Sequence, residues 1–212
     1  METFRPVKMT KPKMSELTRK LVRIDPKFKA TVKASPLCDI GLRKPKYSHF
    51  ETLVHSIISQ QLATRAAATI SERLITLSAN DVSAKKMLRL GKVKIRKCGV
   101  SDAKARAILD LAKHTQNGSI KFKQFSKLPN AEIEAELVRV WGIGKWTAQM
   151  FLMFHLGRLD IWPVDDLGVR RGWEKLHNLR TEIKPKKLLK EGEKFAGFES
   201  VVAWYCWRVV DN

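Results

Sequence analysis

Apolar residues recur along most of the chain at three- and four-residue intervals, the period of a helix with one buried face. Phe50, Leu53, Val54, Ile57 and Ile58 share such a face, and Ser48 followed by Glu51 has the pattern of a helix-opening capping box. This helix stops near Ser59-Gln60-Gln61, and Ala66, Ala67, Ile70 and Leu74 define the next. Asn80-Asp81 opens a short helix through Met87 and Leu90, and Ser101 caps one carrying Ala105, Ile108, Leu109, Leu111 and Ala112. Pro129-Asn130 starts a helix through Ile133, Leu137 and Val138. The apolar run ends at Val140-Trp141, Gly142-Ile143-Gly144 makes a tight turn, and helical spacing resumes from Lys145 to Leu156 with Trp146, Met150, Met153 and Phe154.

At the two ends, Ser15 to Arg23 forms a first helix, and the region from Lys33 to Lys46, with Pro36, Gly41 and Pro45, reads as connection. Leu167, Trp173 and Leu176 mark a later helix, Pro185 opens another with Leu188, Leu189 and Phe195, and an aromatic-rich helix from Val201 to Trp207 closes the chain. No segment alternates with period two between hairpin turn residues, so the fold class is all-α.

Composition narrows the partners. The chain of 212 residues is long enough for a sizeable core and reads as one domain. Its 41 Lys+Arg against 21 Asp+Glu give a formal net charge of +20, which calls for a polyanion, nucleic acid before an acidic membrane surface. No apolar run approaches a membrane span and the N-terminus lacks a signal-peptide core, which predicts a soluble, intracellular protein. Residues 1–14, with Arg5, Lys8, Lys11 and Lys13 around Pro6 and Pro12, read as a basic, flexible arm. Cys38, Cys98 and Cys206 are odd in number and far apart, with neither a metal nor a disulfide pattern, and read as reduced, partly buried thiols. The five histidines lack metal-ligand spacing and read as helix-surface or core residues; His55, on the helix that leads into the Ser59-Gln60-Gln61 turn, is the one to watch for a DNA contact.

The turn at Gly142 to Gly144 sets backbone N–H groups at the positive end of the following helix with little side chain in the way, a place where a phosphate can approach closely. About one helix later, Trp162-Pro163-Val164-Asp165-Asp166 places two acids before another helix. Together, Trp141-Gly142-Ile143-Gly144-Lys145-Trp146-Thr147-Ala148 and Pro163-Val164-Asp165-Asp166-Leu167-Gly168 resemble the helix-hairpin-helix DNA glycosylases, and the Trp after the basic hairpin residue resembles their 3-methyladenine DNA glycosylase II branch.

The resemblance runs from about Ser15 onward. It implies a single domain over residues 15–212, with two helical lobes and a cleft between them. The middle lobe would run from about 48 to 155, the other combining about 15–47 with 156–212. The four-cysteine iron–sulfur cluster of some relatives is missing from this sequence. Asp166 matches the catalytic aspartate, while Asp165 reads as a helix cap. Trp146, Met150 and Trp207 match base-pocket positions; each of these side chains also suits ordinary core packing, the reading preferred for Trp141, Trp162, Trp173 and Trp204. Gly142, Ile143, Gly144, Lys145 and Thr147 match the DNA-binding hairpin. No cofactor is required, but an optional Na+ or K+ at the backbone of Gly142 and Gly144 is implied. Gln60, Gln61, Leu62 and Ala63 match the loop that fills the gap left by a flipped nucleotide, or else Leu62 packs inward and the glutamines cap a helix. Lys104 and Arg106 read as solvated charges.

The implied function is monofunctional base-excision repair: a hydrolase that flips alkylated, cationic purines such as 3-methyladenine and 7-methylguanine out of double-stranded DNA and cuts the N-glycosidic bond. Such a protein would act as a monomer off the membrane, in cytoplasm and nucleoid or in a nucleus. A bifunctional glycosylase/lyase for another lesion and a non-catalytic damaged-DNA-binding module are the alternatives. Bifunctional relatives carry a lysine where this chain has Trp146. Lys145 lies one residue earlier, rotated by about 100° around the helix.

Overall fold

The computed structural model describes residues 9–211, and among them there are helices and no strands. The helices are α1 (Lys11–Ile24), α2 (Lys29–Ala34), α3 (His49–Ser59), α4 (Thr64–Leu77), α5 (Ala84–Lys97), α6 (Asp102–Gln116), α7 (Asn130–Val138), α8 (Lys145–Met150), α9 (Leu167–His177), α10 (Pro185–Gly192) and α11 (Glu199–Asp211). Two compact units form: one is Pro45–Phe151, and the other joins the described residues up to Lys44 with those from Leu152.

In the first unit α6 is the central helix, packing on both α3 and α5. Leu53, Val54 and Ile57 of α3, Ile108 and Leu111 of α6, and Ile133 and Leu137 of α7 are fully buried. His49, Phe122, Phe125 and Phe151 add an aromatic cluster with centroid separations of 5.2 to 6.2 Å. Ser48 and Ser101 cap α3 and α6 as the sequence predicts, their hydroxyls accepting from Glu51 N and Lys104 N.

In the second unit α9 packs along α11. The contact is close because Gly172 presents only hydrogen: a Cβ built there overlaps the Cys206 carbonyl. Trp173 is buried with Phe28, Phe195 and a His177 ring stacked at 4.0 Å. Asp25, at the end of α1, accepts from Lys194 Nζ at 3.1 Å and lies 3.0 Å from His177 Nε2. Burial pushes its carboxyl up, but the bonds and charges of these two neighbours outweigh that and leave it below the ordinary value.

Several boundaries differ from the sequence expectation. The part of the basic arm that is described is helical from Lys11, because Thr10 caps α1 and Pro12 sits in the first turn, where no N–H is needed; residues 1–8 lie outside the described residues. Helix α5 begins after Ser83, not at Asn80-Asp81, since Ala79 and Asn80 take positive φ values of 55° and 61° in ending α4. The helix expected from Lys145 to Leu156 changes type at Phe151, where a π-helical turn runs to His155. Such a turn admits an extra residue and is common near functional sites. The cysteines are free and buried; burial pushes the Cys38 thiol up to about 12 and raises Cys206 as well, so neither is a ready nucleophile.

Candidate active site and nucleic-acid interface

The hairpin is built from the inside. Ile143 is 3% exposed and plugs the turn into the core of the first unit, while Trp141 N donates to Asp110 Oδ2 at 2.8 Å. Gly142 has φ of +85°, and a Cβ there would lie 2.8 Å from Ala107 Cβ, so backbone conformation and space both require glycine. Gly144 caps α8 with an ordinary φ of −89°, and a Cβ there meets nothing within 4 Å. The outer side of the turn is therefore open, as close approach of an anion demands, and Lys145 is exposed beside it. Thr147 is buried, so the side chains of Ile143 and Thr147 face inward and any ligand contact at these positions is through main-chain N–H.

The turn after α3 revises one expectation. Gln60 Nε2 donates to Gly142 O at 3.0 Å and to Thr147 Oγ1 at 3.3 Å, so its amide holds the loop to the hairpin and is not presented as a wedge. Gln61 has φ of +53° and is exposed, Leu62 is 39% exposed, and the exposed Ala63 precedes α4 as its N-cap. Lys104 is not the solvated charge that its sequence context suggests: its Nζ donates to Ile58 O at 2.8 Å and Gln60 O at 2.7 Å. Trp141 likewise departs from core packing. It is 41% exposed because Ile143 takes the inward position, and the Arg106 guanidinium lies 4.2 Å from its ring centroid. Trp146 is half exposed, whereas Trp173 and Trp204 are buried and Trp162 donates to Leu188 O.

In the second unit the loop from Trp162 closes through Asp166 N donating to Pro163 O at 3.0 Å. Asp166, with φ −71° and ψ 123°, is the N-cap of α9, the role expected of Asp165. Its Oδ1 accepts from Val169 N at 2.7 Å and from Trp207 Nε1 at 2.8 Å, so two donors on one oxygen fix the carboxylate's rotation. Trp207 is thereby tied to the acid as well as being an aromatic surface. Gly168 makes room for the pair: a Cβ there would stand 2.8 Å from Trp207 Cδ1. Phe154, 52% exposed, lies 5.7 Å from the Trp207 ring centroid to centroid and was missing from the candidate residues. Its position four after Met150 was the available signal, blurred by the π-helical turn. The exposed Phe154 and the partly buried Trp207, beside an oriented carboxylate, provide an apolar, electron-rich surface next to a fixed negative charge.

Comparison with known proteins gives this arrangement its family. The model of the HhH-GPD superfamily base excision DNA repair proteins matches residues 54–197, and the chain belongs to that family. It is 34% identical over 166 residues to DNA-3-methyladenine glycosylase 1 of Schizosaccharomyces pombe, covering 77% of this chain and 73% of the relative. Among solved structures, the S. pombe 3-methyladenine DNA glycosylase Mag1 in complex with abasic DNA superposes with a TM-score of 0.79 at 31% identity, covering 91% of this chain and 95% of that one. A DNA-3-methyladenine glycosidase from Bacillus halodurans gives a TM-score of 0.80 at 29% identity, with 90% and 87% covered. The all-helical architecture is that of the helix-hairpin-helix glycosylases. Among the described residues no His, Cys, Asp and Glu group could hold a metal ion, and no helix is long and apolar enough to cross a membrane.

Proposed function

We propose that this protein is a monofunctional DNA glycosylase that removes alkylated purines from duplex DNA, acting as a monomer. The observation that carries the proposal is the Asp166 carboxylate clamped by Trp207 Nε1 and Val169 N, on a chain whose relatives bear the name 3-methyladenine glycosylase. Departure of the base builds positive charge on the sugar, and one oriented carboxylate beside it stabilises that charge and directs water. An N-alkylated purine is already cationic and leaves without a general acid, so a single acid suffices. Trp146, Met150 and Trp207 are each proposed as base contacts, the indole faces favouring a cationic ring by about 0.5–2 kcal/mol each.

The open side of the hairpin at Gly142 and Gly144, with Lys145, is proposed to hold a DNA phosphate, and the net charge of +20 supplies the attraction. Gln61 and Leu62, with their exposed side chains, are the proposed wedge. An optional Na+ or K+ at the hairpin backbone stays part of the proposal, with the Gly142 carbonyl accepting the Gln60 amide on one of its two lone pairs. The chemistry above uses no cofactor.

Incubation with methylated duplex DNA tests the reading. Free 3-methyladenine and 7-methylguanine should appear, leaving intact abasic sites that break only on heating or in alkali. Borohydride during turnover should trap no covalent adduct, because Trp146 stands where a lyase would carry its lysine. An adduct lost in Lys145→Ala would establish the lyase reading instead.

The Trp207 bond has a separate consequence. Trp207→Phe keeps a ring beside Phe154 and removes the N–H, and a hydrogen bond to a charged group contributes about 1.5–3 kcal/mol. Excision measured in single turnovers should fall by roughly 10- to 100-fold, with affinity for an abasic duplex nearly unchanged. Undiminished excision would show that Val169 N alone orients the acid.

A further inference from the structure

We propose that Lys104 is a positioning residue for base extrusion: from the first turn of α6 it fixes the turn that carries Gln61 and Leu62 at a set distance from the phosphate-binding hairpin. The inference rests on the glycosylase reading for its catalytic consequence and on geometry for its cause.

The last carbonyls of a helix have no partner inside it, and a cation near them is favourable. At the end of α3 that cation is Lys104 Nζ, which bridges Ile58 O at 2.8 Å and Gln60 O at 2.7 Å. Burial lowers the Lys104 pKa, so the ammonium sits there against a desolvation cost that two short, charge-assisted bonds offset. A lysine serving only to make the surface soluble would not be held this way.

Gln60 is gripped from both sides. Its carbonyl is bound by Lys104 of α6, while its side-chain amide is bound to Gly142 O and Thr147 Oγ1 of the hairpin. The residue that follows, Gln61, is exposed and has φ of +53°, a conformation that persists for a side-chain-bearing residue when its surroundings over-determine it. The same helix also seats the hairpin, with Ala107 packed under Gly142 and Asp110 Oδ2 accepting from Trp141 N at 2.8 Å. Lys104, Ala107 and Asp110 recur every three residues along α6, neighbours on one helical surface. One rigid helix thus sets the spacing between wedge and anchor. Pulling a stacked, paired base from a duplex is costly, and a wedge that moves recovers less of that cost than one that is fixed.

Lys104→Met keeps the unbranched stem of the side chain, one atom shorter, and removes its donors. Single-turnover excision is compared on one lesion in two settings: paired within a duplex, and placed in a bulge where little stacking opposes extrusion. The expected result is a loss of about 10- to 30-fold on the paired lesion and under threefold on the bulged one. Equal loss on both substrates, or no loss on either, overturns the proposal. Lys104→Gln, a milder change, is expected to give the same selective loss and replaces the methionine variant if that does not fold. A second readout needs no catalysis. With saturating protein on a duplex holding an abasic analogue, 2-aminopurine next to the gap should brighten with the wild-type protein and less with Lys104→Met; equal brightening overturns the proposal. Wild-type protein that brightens the probe yet releases no base would refute the glycosylase reading and leave the positioning role standing.

Discussion

Asp166→Asn is expected to lower excision by roughly 100- to 1,000-fold while binding of a damaged duplex stays close to normal, or tightens slightly. The carboxamide oxygen can accept the same two bonds, from Val169 N and Trp207 Nε1, and asparagine is as good an N-cap as aspartate. Fold and local geometry are therefore retained, and the change isolates the negative charge. Loss of a preorganised electrostatic group that acts only in the transition state costs about 3–4 kcal/mol, which falls on the chemical step. Binding should not suffer, since the proposed site faces phosphates and removing an acid there relieves repulsion. Asp165→Asn should be milder, because Asp165 is exposed while the helix cap and the indole bond belong to its neighbour. Single-turnover rates and affinities for an abasic duplex check both variants. An inactive Asp165→Asn beside an active Asp166→Asn would reverse the proposed roles.

The helical architecture was legible in the sequence because burial and period coincide: Phe50 to Ile58, Ala105 to Ala112 and Ile133 to Leu137 each put their apolar residues on one face, and each is a helix. Family membership was legible in the hairpin and the acid loop for a different reason. Gly142 is fixed by its φ and by Ala107, and Asp166 by Val169 N and Trp207 Nε1 at fixed places in the chain, so the motif carries its own three-dimensional constraints.

What escaped were bonds between side chains distant in sequence. Neither Lys104 reaching the end of α3 nor Gln60 turning back to the hairpin leaves a periodic trace, since a long polar side chain beside solvent has the same sequence pattern whether or not it finds a carbonyl. The choice between Asp165 and Asp166 as helix cap escaped for a related reason. A one-residue shift in helix start leaves the apolar pattern of α9 intact. The exposure of Trp141 was equally hidden, because Ile143 two residues on competes for the same inward position.

Gly172→Ala is expected to destabilise the protein and, through the same displacement, to weaken the site. On an isolated helix this substitution would stabilise by roughly 0.5–1 kcal/mol. Here the added methyl would overlap the carbonyl of Cys206, a backbone group that cannot rotate aside, so α9 and α11 must separate. Overpacking of this kind typically costs 1–3 kcal/mol and more where backbone must move, so a net loss of about 2 kcal/mol is expected, seen as a Tm lower by roughly 4–8 °C. The consequence for chemistry follows from where the contact lies. Asp166 caps α9, and Trp207 follows Cys206 on α11, so separating these helices stretches the 2.8 Å bond between Trp207 Nε1 and Asp166 Oδ1. Excision should then drop even at temperatures where the variant is fully folded, by an amount comparable to that in Trp207→Phe. The double variant should be little worse in rate than either alone, since both act through one bond. Losses that multiply in the double variant would show that Gly172 reaches the chemistry by another route.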